Sequence, residues 1–331
     1  MDMTRPLTLA LSTERWPIAG RFAISRGAKT EAVVMVAELV DGIHRGRGEC
    51  VPYARYGESV DSVAAAITAM RPRLAAGLTR AGLQSAMPPG AARNALDCAF
   101  WDLEAKRARR PVHELAGLPA PHPLTTAYTI SLDRPQTMAE AAGKVASRSL
   151  LKVKLGADGD VERIAAVRAA APKSTLIVDA NEGWNERNLS ANLAACVEAS
   201  VKLIEQPLPE GGDGTLADIA HPIAICADES AHDRASLPAL VGRYDAVNIK
   251  LDKAGGLTEA LAMIEDARRI GFAVMVGSMV STSLATAPAV LAAQTASYVD
   301  LDGPLLLAKD RDPGLVYRDS QVLPAVPALW G

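Results

Sequence analysis

The sequence predicts an α/β protein: a barrel of parallel strands and helices, preceded by a smaller α+β domain. Three observations point there. From about Leu124, short apolar runs alternate eight times with Ala-rich segments long enough for helices, the signature of parallel pairing. Before that point, alternating runs joined by turn sequences read as antiparallel strands. Finally, charged residues stand at or near the ends of successive runs. Lys154, Asp179, Glu205, Asp228 and Lys250 are separated by 25, 26, 23 and 22 residues, each about one strand–helix unit.

A chain of 331 residues can bury a large core, and 49% hydrophobic with 22% charged residues is an ordinary globular composition. A formal charge of -3 gives no electrostatic grip on nucleic acid or anionic membrane. Thr13-Glu14-Arg15 interrupts the first apolar run, unlike a secretory signal, and no run reaches transmembrane length. Cys50, Cys98, Cys196 and Cys226 form no CxxC pair, so free buried thiols and a cytoplasmic location are expected.

In the first domain, Leu7–Leu11 alternates as a strand and Glu31–Val40 is a longer apolar run. Asp41-Gly42 then turns the chain into a third strand at Gly46–Val51. Trp16–Thr30 between the first two is polar and contains glycine, which predicts a loop, either a solvated surface or a lid, carrying Arg21 and Arg26. Ser59–Met70 reads as a Ser-capped helix ended by Pro72. Ala91–Lys106 is a stronger helix, with Ala92, Ala95, Leu96, Ala99, Phe100 and Leu103 at helical spacing. The Pro-rich Gly117–Pro123 closes the domain.

The eight predicted barrel strands are Leu124–Ile130, Leu150–Leu155, Thr175–Asp179, Val201–Glu205, Ile223–Ala227, Asp245–Ile249, Ala273–Val276 and Ser297–Leu301. Units of this size suggest a closed (β/α)8-type barrel. An open doubly wound sheet is the competitor, but no GxGxxG follows any strand. Gly211-Gly212-Asp213-Gly214 lacks the Lys-Ser/Thr of a phosphate loop and is read as a flexible turn.

On the second strand, Lys152 and Lys154 share a face, roughly 6.6 Å apart, while Leu151, Val153 and Leu155 take the other. In isolation this is an edge strand with a solvated face. The five residues in phase place it instead at the C-terminal mouth of a barrel, where such active sites lie. Three carboxylates brought together repel one another unless a cation neutralises them. Oxygen donors without Cys or His favour Mg2+. A carboxylate substrate on that metal would present its α-carbon between Lys154 and Lys250, and a lysine acts as base near neutrality only if its pKa is depressed.

The ordered set Lys152-Val153-Lys154, Val178-Asp179-Ala180-Asn181, Ile204-Glu205-Gln206-Pro207, Ala227-Asp228-Glu229-Ser230 and Asn248-Ile249-Lys250-Leu251 resembles the enolase superfamily, and within it the muconate-lactonizing-enzyme subgroup. The resemblance covers nearly the whole chain. It implies a modified TIM barrel, (β/α)7β, with an N-terminal α+β capping domain. Residues 1–120 form the cap, 121–303 the barrel, and 304–331 a C-terminal segment packing back toward the cap. It implies Asp179, Glu205 and Asp228 as Mg2+ ligands, Lys154 and Lys250 as acid and base on opposite substrate faces, and Lys152 as the partner of the substrate carboxylate. Lys253 rivals Lys250, but on a continued strand its odd offset turns it to the other face.

Tyr298-Val299-Asp300-Leu301-Asp302-Gly303 ends the last strand with two carboxylates on one face, or is simply a turn. In the dipeptide epimerases of this subgroup a similar Asp-x-Asp binds the substrate's α-ammonium, and a stretch like that of Ser278, Met279 and Ser281-Thr282-Ser283 contacts the dipeptide backbone. The pattern is most similar to that of epimerases acting on L-Ala-D/L-Glu dipeptides, as in peptidoglycan turnover. Arg26 would then pair bidentately with the second residue's carboxylate, or else be a solvated surface arginine. Expected partners are a small dipeptide and further copies of the chain in a homo-oligomer, with no nucleic acid and no membrane. The alternatives are a cycloisomerase or o-succinylbenzoate synthase of the same subgroup, a Schiff-base barrel aldolase, and a non-catalytic binding barrel.

Overall fold

The computed structural model describes residues 6–156 and 158–331. Strands β1 (Thr8–Ile24), β2 (Gly27–Val40) and β3 (Arg45–Cys50) form an antiparallel sheet in that order. The stretch Trp16–Thr30, expected as a loop, is instead a hairpin extension. Phe22 pairs with Lys29, Ala23 with Ala28 and Ile24 with Gly27, after a register shift between Pro17 and Phe22. Its polar composition reflects a two-stranded ribbon reaching past the core, where neither face need be consistently apolar.

The helix Val60–Thr68 starts at Ser59, which makes a reciprocal capping box with Ser62. The helix Ala91–Ala108 packs on β3 at close range, because Gly46 and Gly48 lie against its backbone. A Cβ on Gly46 would stand 2.2 Å from Ala99 O, and one on Gly48 2.1 Å from Ala95 O.

Eight parallel strands follow: β5 (Tyr128–Ile130), β6 (Leu150–Lys154), β7 (Thr175–Asp179), β8 (Leu203–Glu205), β9 (Ala224–Ala227), β10 (Ala246–Lys250), β11 (Ala273–Gly277) and β12 (Tyr298–Asp300). They pair in sequence order, and Ala127 N donates to Val299 O at 2.9 Å across the remaining seam. Among the described residues no α-helix follows β12, so the barrel ends on a strand in the (β/α)7β manner, with one of the seven helical connections reduced to a 3-10 turn. The predicted first strand is split: β4 (Leu124–Thr125) pairs with β14 (Gln321–Val322), which also pairs with β13 (Tyr317–Arg318). The β8–β9 connection holds a 3-10 turn, Gly214–Asp218, rather than an α-helix. Its glycine-rich start is firmly anchored, since buried Asp213 accepts from Ser230 Oγ at 2.7 Å and Tyr244 Oη at 2.6 Å.

Side-chain alternation sorts the barrel into layers. Outward residues such as Leu151, Val153, Ile204 and Ile249 join the large core under the helices. Inward, Leu150, Ile177, Leu203, Cys226, Ala246 and Met275 plug the strand starts. Two residues further along, the same faces carry Lys152, Asp179, Glu205, Asp228, Asn248 and Gly277.

Buried polar contacts fasten the cap to the barrel and the C-terminal segment, among them these. Glu49 of β3 accepts from Thr282 N at 2.9 Å and from Arg311 Nη2 at 2.7 Å. Arg93 donates to Ala254 O at 2.6 Å. The C-terminal Trp330 Nε1 donates to Cys98 O at 3.0 Å. All four cysteines are buried and unpaired, and no described helix is long and apolar enough to cross a membrane.

Candidate active site

Register sets the height of the charged layer. Lys154 pairs with Asp179 and Asp179 with Glu205, while Lys250 pairs with Gly277 and Gly277 with Asp300. Strands β6 and β10 are four steps apart in a ring of eight, so Lys154 and Lys250 stand on opposite walls. Between them, oxygens of Asp179, Glu205 and Asp228 lie within 4.8 Å of one another, all buried.

Lysines compensate these carboxylates unevenly. Lys154 Nζ lies 2.6 Å from Asp179 Oδ2, and Lys250 Nζ 2.6 Å from Asp228 Oδ2. Lys152 Nζ is 2.7 Å from Asp300 Oδ2, 2.6 Å from Glu205 Oε2 and 3.1 Å from Asp179 Oδ2. Burial works against each charge. For Asp179 the neighbouring lysines Lys154 and Lys152 prevail and hold its carboxyl below the usual range, as Lys250 and Lys253 do for Asp228. Glu205 is pushed up to about 8, by burial and then by Asp179. Its Oε2, although close to Lys152, has no hydrogen bond of acceptable geometry. Three buried hard oxygen donors, one under-compensated, fit a divalent cation of the Mg2+ kind.

The carboxylates around Lys152 and Lys250 act in the opposite direction from the depression expected of Lys152 together with a metal. Burial alone would lower Lys152 and Lys250. Asp300 and Glu205 overcome it at Lys152, and Asp228 and Glu205 at Lys250, so both are raised.

Asp300 offers a buried Oδ1 with no partner. Asp302 accepts from Thr129 N at 2.6 Å, tying the end of the last strand to the first, and burial with Asp300 pushes it up to about 7. Ser278 N donates to Asp300 O at 3.1 Å. Met279 packs its side chain with Ile18, Val34 and Val51 in the seam between cap and barrel.

Arg26 stands at the hairpin tip and reaches the mouth beside β7. Its Nη1 donates to Asn181 O at 2.8 Å and Glu182 Oε2 at 2.9 Å, and its Nη2 to Glu229 Oε1 at 2.7 Å. It is therefore no free surface arginine, and two carboxylates already hold it.

Residues 7–117 match the mandelate racemase/muconate lactonizing enzyme N-terminal domain, and residues 136–325 the enolase C-terminal domain-like family. The chain belongs to the mandelate racemase/muconate lactonizing enzyme family. It is 47% identical over 317 residues to an L-Ala-D/L-Glu epimerase of Escherichia coli K12, covering 95% of this chain and 99% of that one. It is 46% identical over 300 residues to an N-acetyl-D-glutamate racemase of Pseudoalteromonas sp., covering 90% and 95%. An enolase family member from Agrobacterium tumefaciens with homology to dipeptide epimerases, solved with sodium, L-Ala-L-Glu and an ordered loop, superposes with a TM-score of 0.97. It is 57% identical, with 98% of this chain and 100% of that one covered.

Within this family frame, sequence reasoning missed several side chains. Lys253 does enter the site. The strand stops at Lys250, and Leu251–Ala254 is a helical turn, so an offset of three returns the side chain to the mouth. Its Nζ donates to Asp228 Oδ1 at 2.6 Å and Asn248 O at 3.0 Å. The signal was present: Gly255 and Gly256, at φ of 86° and 114°, end that turn. A Cβ on either would stand 2.4 Å from Arg93 Nε or 2.5 Å from Asp97 Cβ. Asn248 donates to Glu205 Oε1 at 2.7 Å, and buried Glu229 keeps Oε2 unpartnered.

Proposed function

We propose that the protein is a Mg2+-dependent dipeptide epimerase of the L-Ala-D/L-Glu type, inverting the α-carbon of the C-terminal residue. The observation that carries this reading is the placement of Lys154 and Lys250 on opposite barrel walls, flanking three buried carboxylates. Asp179, Glu205 and Asp228 would hold the cation, whose charge would acidify the α-carbon of a substrate carboxylate bound beside it.

The chain's own residues supply the rest. Once Asp228 serves a cation, Lys250 loses much of the compensation that offsets its burial, which eases release of its proton. One lysine takes the α-proton and the opposite one, still protonated, returns a proton to the other face. Lys152 adds positive charge where the carboxylate gains negative charge. Asp300 Oδ1, with Asp302 beside it, receives the ammonium of the first residue. Arg26 reads a carboxylate on the second residue's side chain.

The test is α-proton exchange in D2O with a dipeptide panel and with N-acetylglutamate, before and after metal removal. L-Ala-L-Glu is expected to exchange, EDTA to abolish exchange and Mg2+ to restore it, with Glu205→Gln folded and inactive. Full activity of metal-free protein would refute the metal assignment. Preference for N-acetylglutamate would transfer the reading to the racemase reaction of the Pseudoalteromonas relative.

A further inference from the structure

A cavity of about 320 Å3 lies between the inner face of the cap hairpin, the end of β5 and the helix Pro135–Lys144. This is within the size range of small-ligand pockets. Two wall residues also belong to the active site. The Phe22 ring centroid is 5.7 Å from Lys154 Nζ, and Thr129 donates its backbone N–H to Asp302. Phe22 and Thr129 are thus shared between the cavity wall and the surroundings of Lys154 and Asp302.

Its lining mixes apolar surface from Ile18 and Phe22 with charged groups. Arg21, Lys144 and Glu140 stand around it, and among the described residues none of these three side chains makes a hydrogen bond or ion pair. Two unpaired cations against one anion give a positive bias, while the apolar wall suits a short methylene chain.

We propose that this cavity is a subsite for a carboxylate-tipped chain carried by the first residue of the substrate. The chain is either the side chain of an acidic first residue, whose ammonium stays at Asp300, or an N-acyl group ending in a carboxylate, whose amide N–H then takes the place of the ammonium at Asp300 Oδ1. The inference rests on the proposed dipeptide reading, which sets the direction in which the substrate lies. The methylenes run along Ile18 and Phe22, and the carboxylate meets Arg21 and Lys144. Glu140 disfavours a second negative charge there.

The experiment is calorimetric titration, with Mg2+ present, of L-Ala-L-Glu, L-Glu-L-Glu and N-succinyl-L-Ala-L-Glu. The proteins are wild type, an Arg21→Glu/Lys144→Glu double variant, and Ala141→Trp, which fills the cavity without altering its charge. At least one carboxylate-tipped probe should bind ten-fold more weakly to both variants, with L-Ala-L-Glu changed less than two-fold. The probe that responds identifies the source of the chain. Failure of both probes to bind wild type, or affinities within two-fold across all proteins, overturns the subsite. Absence of α-proton exchange from L-Ala-L-Glu would instead count against the epimerase reading, while the binding comparison still decides the cavity.

Discussion

Lys253 Nζ lies 2.6 Å from Asp228 Oδ1, on the carboxylate oxygen that Lys250 does not occupy. Asp228 is thus gripped from both sides by fully or nearly fully buried ammonium groups, and Lys253 also bridges to Asn248 O. Breaking one partner out of a buried pair costs about 3–5 kcal/mol. Lys253→Met should therefore lower unfolding free energy by that order. It should also weaken Mg2+ binding, because Asp228 loses the group that fixes its rotamer. Urea titration and calorimetry with the metal check both effects. A loss under about 1 kcal/mol, with unchanged metal affinity, would make Lys253 a bystander.

The opposed lysines give a stereochemical prediction. In the proposed mechanism each base reaches the α-hydrogen of one epimer, so Lys250→Ala and Lys154→Ala should each abolish exchange from one epimer of Ala-Glu. Residual exchange from the other is compatible with the mechanism. The readout is deuterium incorporation followed separately from L-Ala-L-Glu and L-Ala-D-Glu. A single variant that interconverts epimers at the wild-type rate would remove that lysine from the mechanism.

Arg26 is shared between Glu182 and Glu229, so a substrate carboxylate must compete for it. Arg26→Ala should depress kcat/KM for L-Ala-L-Glu by about 2 kcal/mol, roughly 30-fold, relative to its effect on L-Ala-L-Leu. Glu229→Gln, which weakens one competitor, should lower KM for L-Ala-L-Glu. Equal losses on both substrates in Arg26→Ala would show that the arginine only fastens the hairpin.

A pH effect on stability follows from Asp97, which joins the cap helix to the barrel. It accepts from Thr258 N at 2.9 Å and Gln84 Nε2 at 2.8 Å, yet burial pushes its carboxyl up to about 6. The folded state therefore binds a proton that the unfolded state has released between about pH 4 and pH 6. Stability from this group is full below the unfolded value and declines as pH rises to about 6, by on the order of 3 kcal/mol. Asp97→Asn should flatten that part of the profile, measured by urea unfolding at pH 4, 5, 6 and 7. An unchanged slope would contradict the assignment.

The charged layer was legible in the sequence because two periodicities coincide there: alternation along each strand and one unit of chain between strands. Asp179, Glu205 and Lys250 needed nothing more. Lys253 was hidden because the strand gives way to a helical turn immediately after Lys250, and reading the offset as strand inverted its face. The hairpin of β1 and β2 was hidden because a ribbon extending past the core lacks the apolar alternation that marks a strand. Arg26 could be nominated from its chemistry, but the competition from Glu182 and Glu229 depends on contacts 156 and 203 residues away in the chain, which no local pattern encodes.

The turn carrying Lys253 is held from outside the barrel. Asn94 Nδ2 donates to Asp252 Oδ1 at 2.7 Å, Val51 N to the same oxygen at 3.1 Å, and Arg93 to the carbonyls of Ala254 and Gly255. A chimera that joins this barrel to a relative's cap would keep every carboxylate of the proposed metal site, yet lose the fixture that aims Lys253 at Asp228 unless Arg93 and Asn94 travelled with the graft. Recombination at the domain junction is thus constrained by two residues of the donor that never face the substrate, and libraries of cap exchanges should be built around them.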